Sequence, residues 1–529
     1  MTLPASGAIS FSNVDTELGF SSTAQISLND TAVRTLFGVS SGAISMSNGY
    51  GKSNITYYYG TIFSGCNAAN YGSLTVDNCG NNYASSQNAT SSAHTKFPVC
   101  AASVSYGKKF TLTTGNGWSA GGSYFQSSGS HVDSSGNSYI SWRCGNCTGF
   151  PLGLIKVNSS GCVVWTKSGP TFFGAYPGNV EFAGGHAFLA TYSGQINGQA
   201  TFSSWNSCGN RATGYISCSS GTHNMLDATL GVSKCGGYLA MSGISYQAGN
   251  SSQFTMGLGQ IAISNTCTSI CFYKTYTACS NAYQSNISSS FPIIKYDCSK
   301  NIYVSATFGA DGGAIPGCTY GNHYNPGFSF QAKFNSSGSP QWFLGIGPAL
   351  ASNQYYQVTG MVVDTSANSY VLTSRGLGGN ANDYLLYKLN SSGTLQWIRR
   401  IYVSSSYTGA YNLNATSLIG GLLALDNKGA LRVLVNLVNG STTTGYHGYF
   451  MYPTDGSKTG TLSLKSYNQS VVVTVSVYSG SYTSLALSLS TTTRTPLGGF
   501  NGSNYASGST SRSVGVTAGG QQVCGGNTW

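Results

Sequence analysis

Charge is what this sequence has least of. Its 529 residues include 24 Lys+Arg and 13 Asp+Glu, 7% in all, against ~25% in an ordinary soluble domain. Glu occurs only as Glu17 and Glu181. Because Glu, Lys and Arg populate exposed helix faces, little material remains for long helices, and the chain must be largely β. The basic residues give a net charge of +11 but are scattered, with Lys108-Lys109 and Arg399-Arg400 the densest pairs. The electrostatic footprint of a phosphate-binding face is therefore not visible, and no nucleic-acid partner is expected. Long apolar runs are lacking too. Val471 to Val477 is too short and too β-branched to cross a bilayer as a helix, so no membrane insertion is expected. The opening Met1-Thr-Leu-Pro-Ala-Ser-Gly lacks the basic and apolar segments of a secretory signal. What is abundant is Gly (71) and Tyr (36), within a composition 40% apolar. That is enough to form cores rather than disorder, in more than one domain.

Fourteen of the fifteen cysteines lie between Cys66 and Cys318, and the last is Cys524. An odd count leaves at least one thiol free or paired between chains. Cys144-Gly-Asn-Cys147 has metal-knuckle spacing, but no second such pair follows at zinc-ribbon distance, so no metal is expected. Disulfide pairing is left open, since cytosolic synthesis disfavours bridges and a later extracellular life permits them.

One layout recurs along the chain. Val132-Asp-Ser-Ser-Gly-Asn-Ser-Tyr, Tyr296-Asp-Cys-Ser-Lys-Asn-Ile-Tyr, Val363-Asp-Thr-Ser-Ala-Asn-Ser-Tyr and Leu425-Asp-Asn-Lys-Gly-Ala-Leu-Arg each join an apolar strand end to an alternating strand through a turn opened by Asp. Asp accepts from backbone amides two residues on, and Gly or Asn tolerates positive φ. A second hairpin follows: an Asn-Ser-Ser-Gly turn at Asn158, Asn335 and Asn390 precedes Trp165, Trp342 and Trp397, which would pack between sheets. Two hairpins make four strands.

The markers Asp77, Asp133, Asp297, Asp364 and Asp426 are separated by 56, 164, 67 and 62 residues. The long gap accommodates two degenerate units, around Gly184-Gly-His-Ala and Cys235-Gly-Gly-Tyr. The expectation is an all-β fold, a seven-bladed β-propeller of four-stranded blades over residues 54–464, with a six-bladed ring as the alternative. Residues 465–529 are expected to close the ring or to form a small end domain. The repeat resembles bacterial β-propeller repeats of surface and phage proteins over roughly residues 74–464.

Residues 1–53 differ in kind. An extended start and a short helix end at Gly19; a second helix, capped by Asn29 or Asp30 and terminated by Gly38, places Val33, Leu36 and Phe37 on one face. So small a segment holds little core. Leu3-Pro-Ala-Ser-Gly-Ala-Ile-Ser, Ser27-Leu-Asn-Asp-Thr-Ala-Val-Arg and Ser41-Gly-Ala-Ile-Ser-Met-Ser, with Tyr50-Gly-Lys-Ser53, together closely resemble a short module at the start of structural proteins of tailed bacteriophages. The resemblance implies a virion protein, made in the host cytoplasm and released by lysis. It would be a tail fibre or similar appendage docked to other virion proteins by residues 1–53. Leu3, Pro4, Ile9, Leu18, Leu28, Val33, Leu36, Phe37, Ile44 and Met46 are the anchor residues it implies. A head-decoration role and homo-oligomerisation stay open.

The thirteen acids permit an audit. Asp15, Glu17 and Asp30 lie in the first segment, five Asp occupy the repeated turn, and Asp383 and Asp455 fall in second hairpins. Glu181, Asp227 and Asp311 are left, no two of them near in sequence, whereas a glycosidase needs two placed carboxylates. No nucleophile elbow or His-Glu-x-x-His occurs. Recognition rather than catalysis is thus expected, with no cofactor, through a surface rich in Tyr, Ser, Gly and Asn; a carbohydrate-active hydrolase using Glu181, Asp227 or Asp311 stays as an alternative. The unit marked by Asp297 carries an insertion between residues 309 and 327, where Asp311, Tyr320, His323 and Tyr324 are candidate contacts to a host-surface glycan or protein. Tyr407 and Tyr411 form a second candidate segment.

Overall fold

The computed structural model describes residues 3–4, 6–18, 20–50, 52, 62–64, 71–87, 91–98, 105–112, 125–126, 129–144, 152–168, 177–191, 200–218, 223–233, 237–247, 254–263, 270–279, 292–310, 325–348, 355–376, 383–404, 422–438, 445–466, 469–479, 482–486, 490–494, 496–500 and 514–518. Seven antiparallel sheets form a ring, a seven-bladed β-propeller; the six-bladed alternative is ruled out. Counted from the N-terminus, the innermost strands of blades one to six are Tyr71–Val76, Ser130–Val132, Pro177–Ala183, His223–Val232, Ile293–Tyr296 and Tyr355–Val363; that of blade seven is Leu423–Leu425. Blades three and four are the two degenerate units.

The two chain ends are handled differently. Blade seven draws three strands from Leu423–Leu425, Ala430–Val438 and Gly445–Pro453, and its fourth from Ile62–Ser64. The ring is thus sealed by its N-terminal strand. The described C-terminal strands neither seal it nor form an end domain, the two arrangements expected of residues 465–529. Instead Gln469–Val477, Tyr482–Ala486, Ser490–Arg494, Pro496–Phe500 and Val514–Ala518 add in turn to the outer edges of blades six, five, four, three and one. This belt runs backwards around the perimeter and covers backbone edges that would otherwise be open to pairing with another chain.

The turn chemistry explains why the repeat reads as it does. In blade one, Asp77 Oδ1 accepts from the amides of Cys79 (2.9 Å) and Asn81 (2.8 Å), while Oδ2 accepts from the Asn81 side chain (2.8 Å) and the Tyr83 hydroxyl (3.0 Å). Asp133 and Asp364 repeat the four contacts. Burial, and then the adjacent Asp charge, raises the phenol pKa of Tyr83, Tyr139, Tyr303 and Tyr370, so each stays a donor. In blade seven Arg432 stands where blades one, two, five and six have Tyr. It pairs with Asp426 inside the protein and donates to Tyr449 Oη at 2.8 Å.

The second hairpin stitches blades two and five to the blades that follow them. Trp165 and Trp342 donate from Nε1 to Ser207 O and Ser391 O of the following blade, both at 3.1 Å. Lys156 and Lys333 reach the same carbonyls at 3.3 and 3.2 Å, over the rings of Tyr139 and Tyr303. The Gly of the next Asn-Ser-Ser-Gly turn lies flat on the Trp: Gly393 has φ 81°, and a Cβ there would stand 2.8 Å from the Trp342 ring. Both the left-handed backbone and the close approach require glycine.

The first segment has its own small core. Helices Phe11–Leu18 and Thr31–Phe37 pack Val14, Val33, Leu36 and Phe37 with Leu3. Gly38 ends the second helix at φ 73°, as expected. Asp30 occupies the N-cap, but its carboxylate turns back to accept from Ser27 N (2.8 Å) instead of capping the helix.

Candidate functional site

The inner strands of all seven blades enclose an axial cavity of about 590 Å³. Its wall is uneven. Two residues before the turn Asp, the repeat places Thr75, His131, Lys295, Val362 and Ala424. His131 and Lys295, from blades two and five, converge on Glu181 of blade three. Lys295 Nζ lies 2.6 Å from Glu181 Oε1, and His131 Nδ1 lies 3.5 Å from Oε2. Glu181 is buried, whereas the Lys295 side chain keeps 33% of its exposure, so the cluster is reached by water.

Asn179 holds this arc in place. Its side chain donates to Leu230 O (2.5 Å) and accepts from Leu230 N (3.0 Å), joining blade three to blade four as one rung of a ladder would. Thr229 Oγ1 donates to Pro292 O, tying blade four to blade five. Gly231 allows the approach: a Cβ there would stand 2.7 Å from Ile294 O. Across the cavity, blades one, six and seven present half-buried Val76, Val363 and Leu425. Asp77, Asp133, Asp297 and Asp364 line the end of the cavity next to the turns.

Of the residues named from sequence, Glu181 is brought into this site. Asp227 lies on the strand His223–Val232 but its side chain is outside the described residues. Asp311, Tyr320, His323, Tyr324, Tyr407 and Tyr411 also lie outside the described residues. Leu3, Val33, Leu36 and Phe37 are buried in the first segment's core, and Ile9, Leu18, Leu28, Ile44 and Met46 pack against it. Pro4 alone among the ten is exposed. The other nine therefore build the segment's interior, and its exposed large apolar side chains among the described residues are Phe11, Phe20 and Tyr50. Sequence reasoning missed His131, Lys295 and Asn179; for the first two the signal was the inner-strand position two before the turn Asp, which differs between blades that share that turn, and Asn179, in a blade without the turn Asp, carried none.

Among the described residues, no group of three or more His, Cys, Asp or Glu could hold a metal ion. Cys144 is disulfide-bonded, which removes the first residue of the metal-knuckle spacing as a ligand. No helix among the described residues is long and apolar enough to cross a membrane. The second-hairpin acid Asp383 is held by both ends of Arg400, at 3.0 and 2.8 Å.

No protein-family model and no curated protein matches the chain. Among solved structures, it is similar to a polysaccharide lyase, an ulvan lyase bound to a glucuronate–sulfated rhamnose repeat, at 9% identity and TM-score 0.36 over 75% of this chain and 95% of that one. A mutant of the Synechocystis apocarotenoid oxygenase gives 10% identity and TM-score 0.30, over 59% of this chain and 67% of that one. A prolyl endopeptidase gives 9% and 0.26, over 70% and 54%. Likeness at this level carries no chemistry from those enzymes to this chain.

Proposed function

We propose that the chain is a structural protein of a tailed-bacteriophage particle, a tail fibre or appendage in which residues 1–53 dock to other virion proteins and the propeller binds a glycan or protein on the host surface. The three-part motif of residues 1–53 carries this reading. In its support, the segment has a core of its own, and the ring that follows is closed independently by Ile62–Ser64. Recognition is favoured over hydrolysis because the described ring acids are engaged. The turn carboxylates accept from their own turns and from Tyr or Arg, Asp383 is clamped by Arg400, and Glu181 is paired with Lys295. A hydrolase of the two-carboxylate kind needs an acid and a partner carboxylate facing one bond. Mass spectrometry of purified particles is expected to find the chain at a fixed stoichiometry, and the purified full chain to bind host cells without releasing reducing ends. Particles lacking the chain would refute the reading. Presence in the particle without host binding would favour a purely structural appendage or head-decoration protein.

A further inference from the structure

We propose that the axial cavity is a binding site for a single uncharged sugar residue. The inference stands on the cavity alone and does not need the virion reading. The volume, about 590 Å³, falls within the ~300–1,000 Å³ of small-molecule sites. Its wall has two characters. One arc offers a cation and an anion side by side, Lys295 and Glu181, with His131 next to them. An ammonium group has three donors; Lys295 directs one bond to Glu181 and keeps a third of its side chain in contact with solvent. The facing arc mixes apolar groups, Val76, Val363 and Leu425, with the hydroxyls of Ser73, Thr75 and Thr365 and carries no Lys or Arg. A pyranose matches this division, because its hydroxyls both donate and accept while one ring face is a patch of C–H groups.

Charge narrows the class. Four turn carboxylates, Asp77, Asp133, Asp297 and Asp364, line one end of the cavity. Their hydrogen-bonding capacity is taken up by the turns, but their negative charge remains, and in a cleft with low-dielectric walls it repels anions. A uronate or sialate would have to approach that field. A cationic ligand would be drawn by that field but repelled at the polar arc itself by the Lys295 ammonium, which already occupies the Glu181 carboxylate. A neutral polyol is indifferent to the field and uses Lys295 as donor and Glu181 as acceptor.

The test is saturation-transfer NMR on the full chain with the methyl glycosides of glucose, galactose, N-acetylglucosamine and glucuronic acid. At least one neutral glycoside is expected to receive magnetisation, and glucuronide none. Loss of a hydrogen bond to a charged group predicts an affinity roughly ten-fold weaker in Lys295→Met and in Glu181→Gln. Because either change could loosen the ring, Thr75→Phe supplies a second route: it fills the cavity from blade one without touching the ion pair and is expected to abolish the signal. Near-UV circular dichroism matching the parent confirms the fold of each variant. No transfer to any neutral glycoside, a glucuronide that binds as well as they do, or a signal unchanged in folded Thr75→Phe and Lys295→Met would overturn the proposal.

Discussion

Blades one, two, five, six and seven each spend an acid on the turn after the innermost strand; blades three and four do not. In blade three that turn is Ala183-Gly-Gly-His186, with Gly184 and Gly185 at φ 58° and 81°. Two glycines supply the left-handed geometry directly, and no side-chain acceptor is needed. Blade three's acid, Glu181, sits within the strand, where it meets Lys295 and His131 across the axial cavity. Displaced by a few positions, a carboxylate changes from a piece of the scaffold into part of a cavity wall. The comparison teaches that in so acid-poor a chain the place of each acid in the repeat separates architecture from recognition.

The largest expected effect lies in the blade where the scaffold version is altered. Asp426 and Arg432 are each about 1% exposed and face one another. Removing one member of a buried pair leaves the other charge unpaired, at a cost of about 3–5 kcal/mol. Arg432→Met is therefore expected to lower the urea midpoint by that equivalent, and a loss under about 1 kcal/mol would show that blade seven does not depend on its pair. A gentler break of the comparison concerns blade one. His94 is buried between Tyr83 and Tyr106, its Nδ1 2.8 Å from Ser85 Oγ, and burial pushes its pKa down to about 3. The unfolded chain titrates it near the ordinary value of about 6.5, so it binds a proton there that the native state refuses. The stability this histidine contributes is complete above about pH 6.5 and is lost as pH falls towards 3, with a slope of at most about 1.4 kcal/mol per pH unit. His94→Gln is expected to flatten that slope in urea titrations. An unchanged slope would place the pH dependence elsewhere.

Much of this architecture was legible because a turn is a local event. The Asp, Asn and Tyr of Asp133-Ser-Ser-Gly-Asn-Ser-Tyr139 hydrogen-bond within a few residues of one another, so their spacing in sequence is their geometry in space. Trp165 and Trp342 were legible for a related reason, since each marks where one blade rests on the next turn. The belt was not. Strands such as Tyr482–Ala486 and Pro496–Phe500 pair with blades whose own strands lie well over a hundred residues earlier, and alternation says that a strand exists without naming its partner. The ion pair between Glu181 and Lys295 spans 114 residues and was hidden likewise. In residues 1–53 the apolar pattern gave the helices and Gly38, but not the inward direction of Leu3, Leu28 and Met46.

The most direct test of the account is the unfolding free energy of Asp364→Ala beside that of Glu181→Gln, measured in one denaturant series. Asp364 accepts four hydrogen bonds, one from the Tyr370 hydroxyl, so its loss is expected to cost about 2–4 kcal/mol. Glu181→Gln keeps the shape and an acceptor oxygen of the side chain and leaves the one-third-exposed Lys295 able to reach water, which holds the expected cost to about 1 kcal/mol. The reverse order, with Glu181→Gln the more damaging, would show that Glu181 is scaffold and contradict the division between turn and cavity acids.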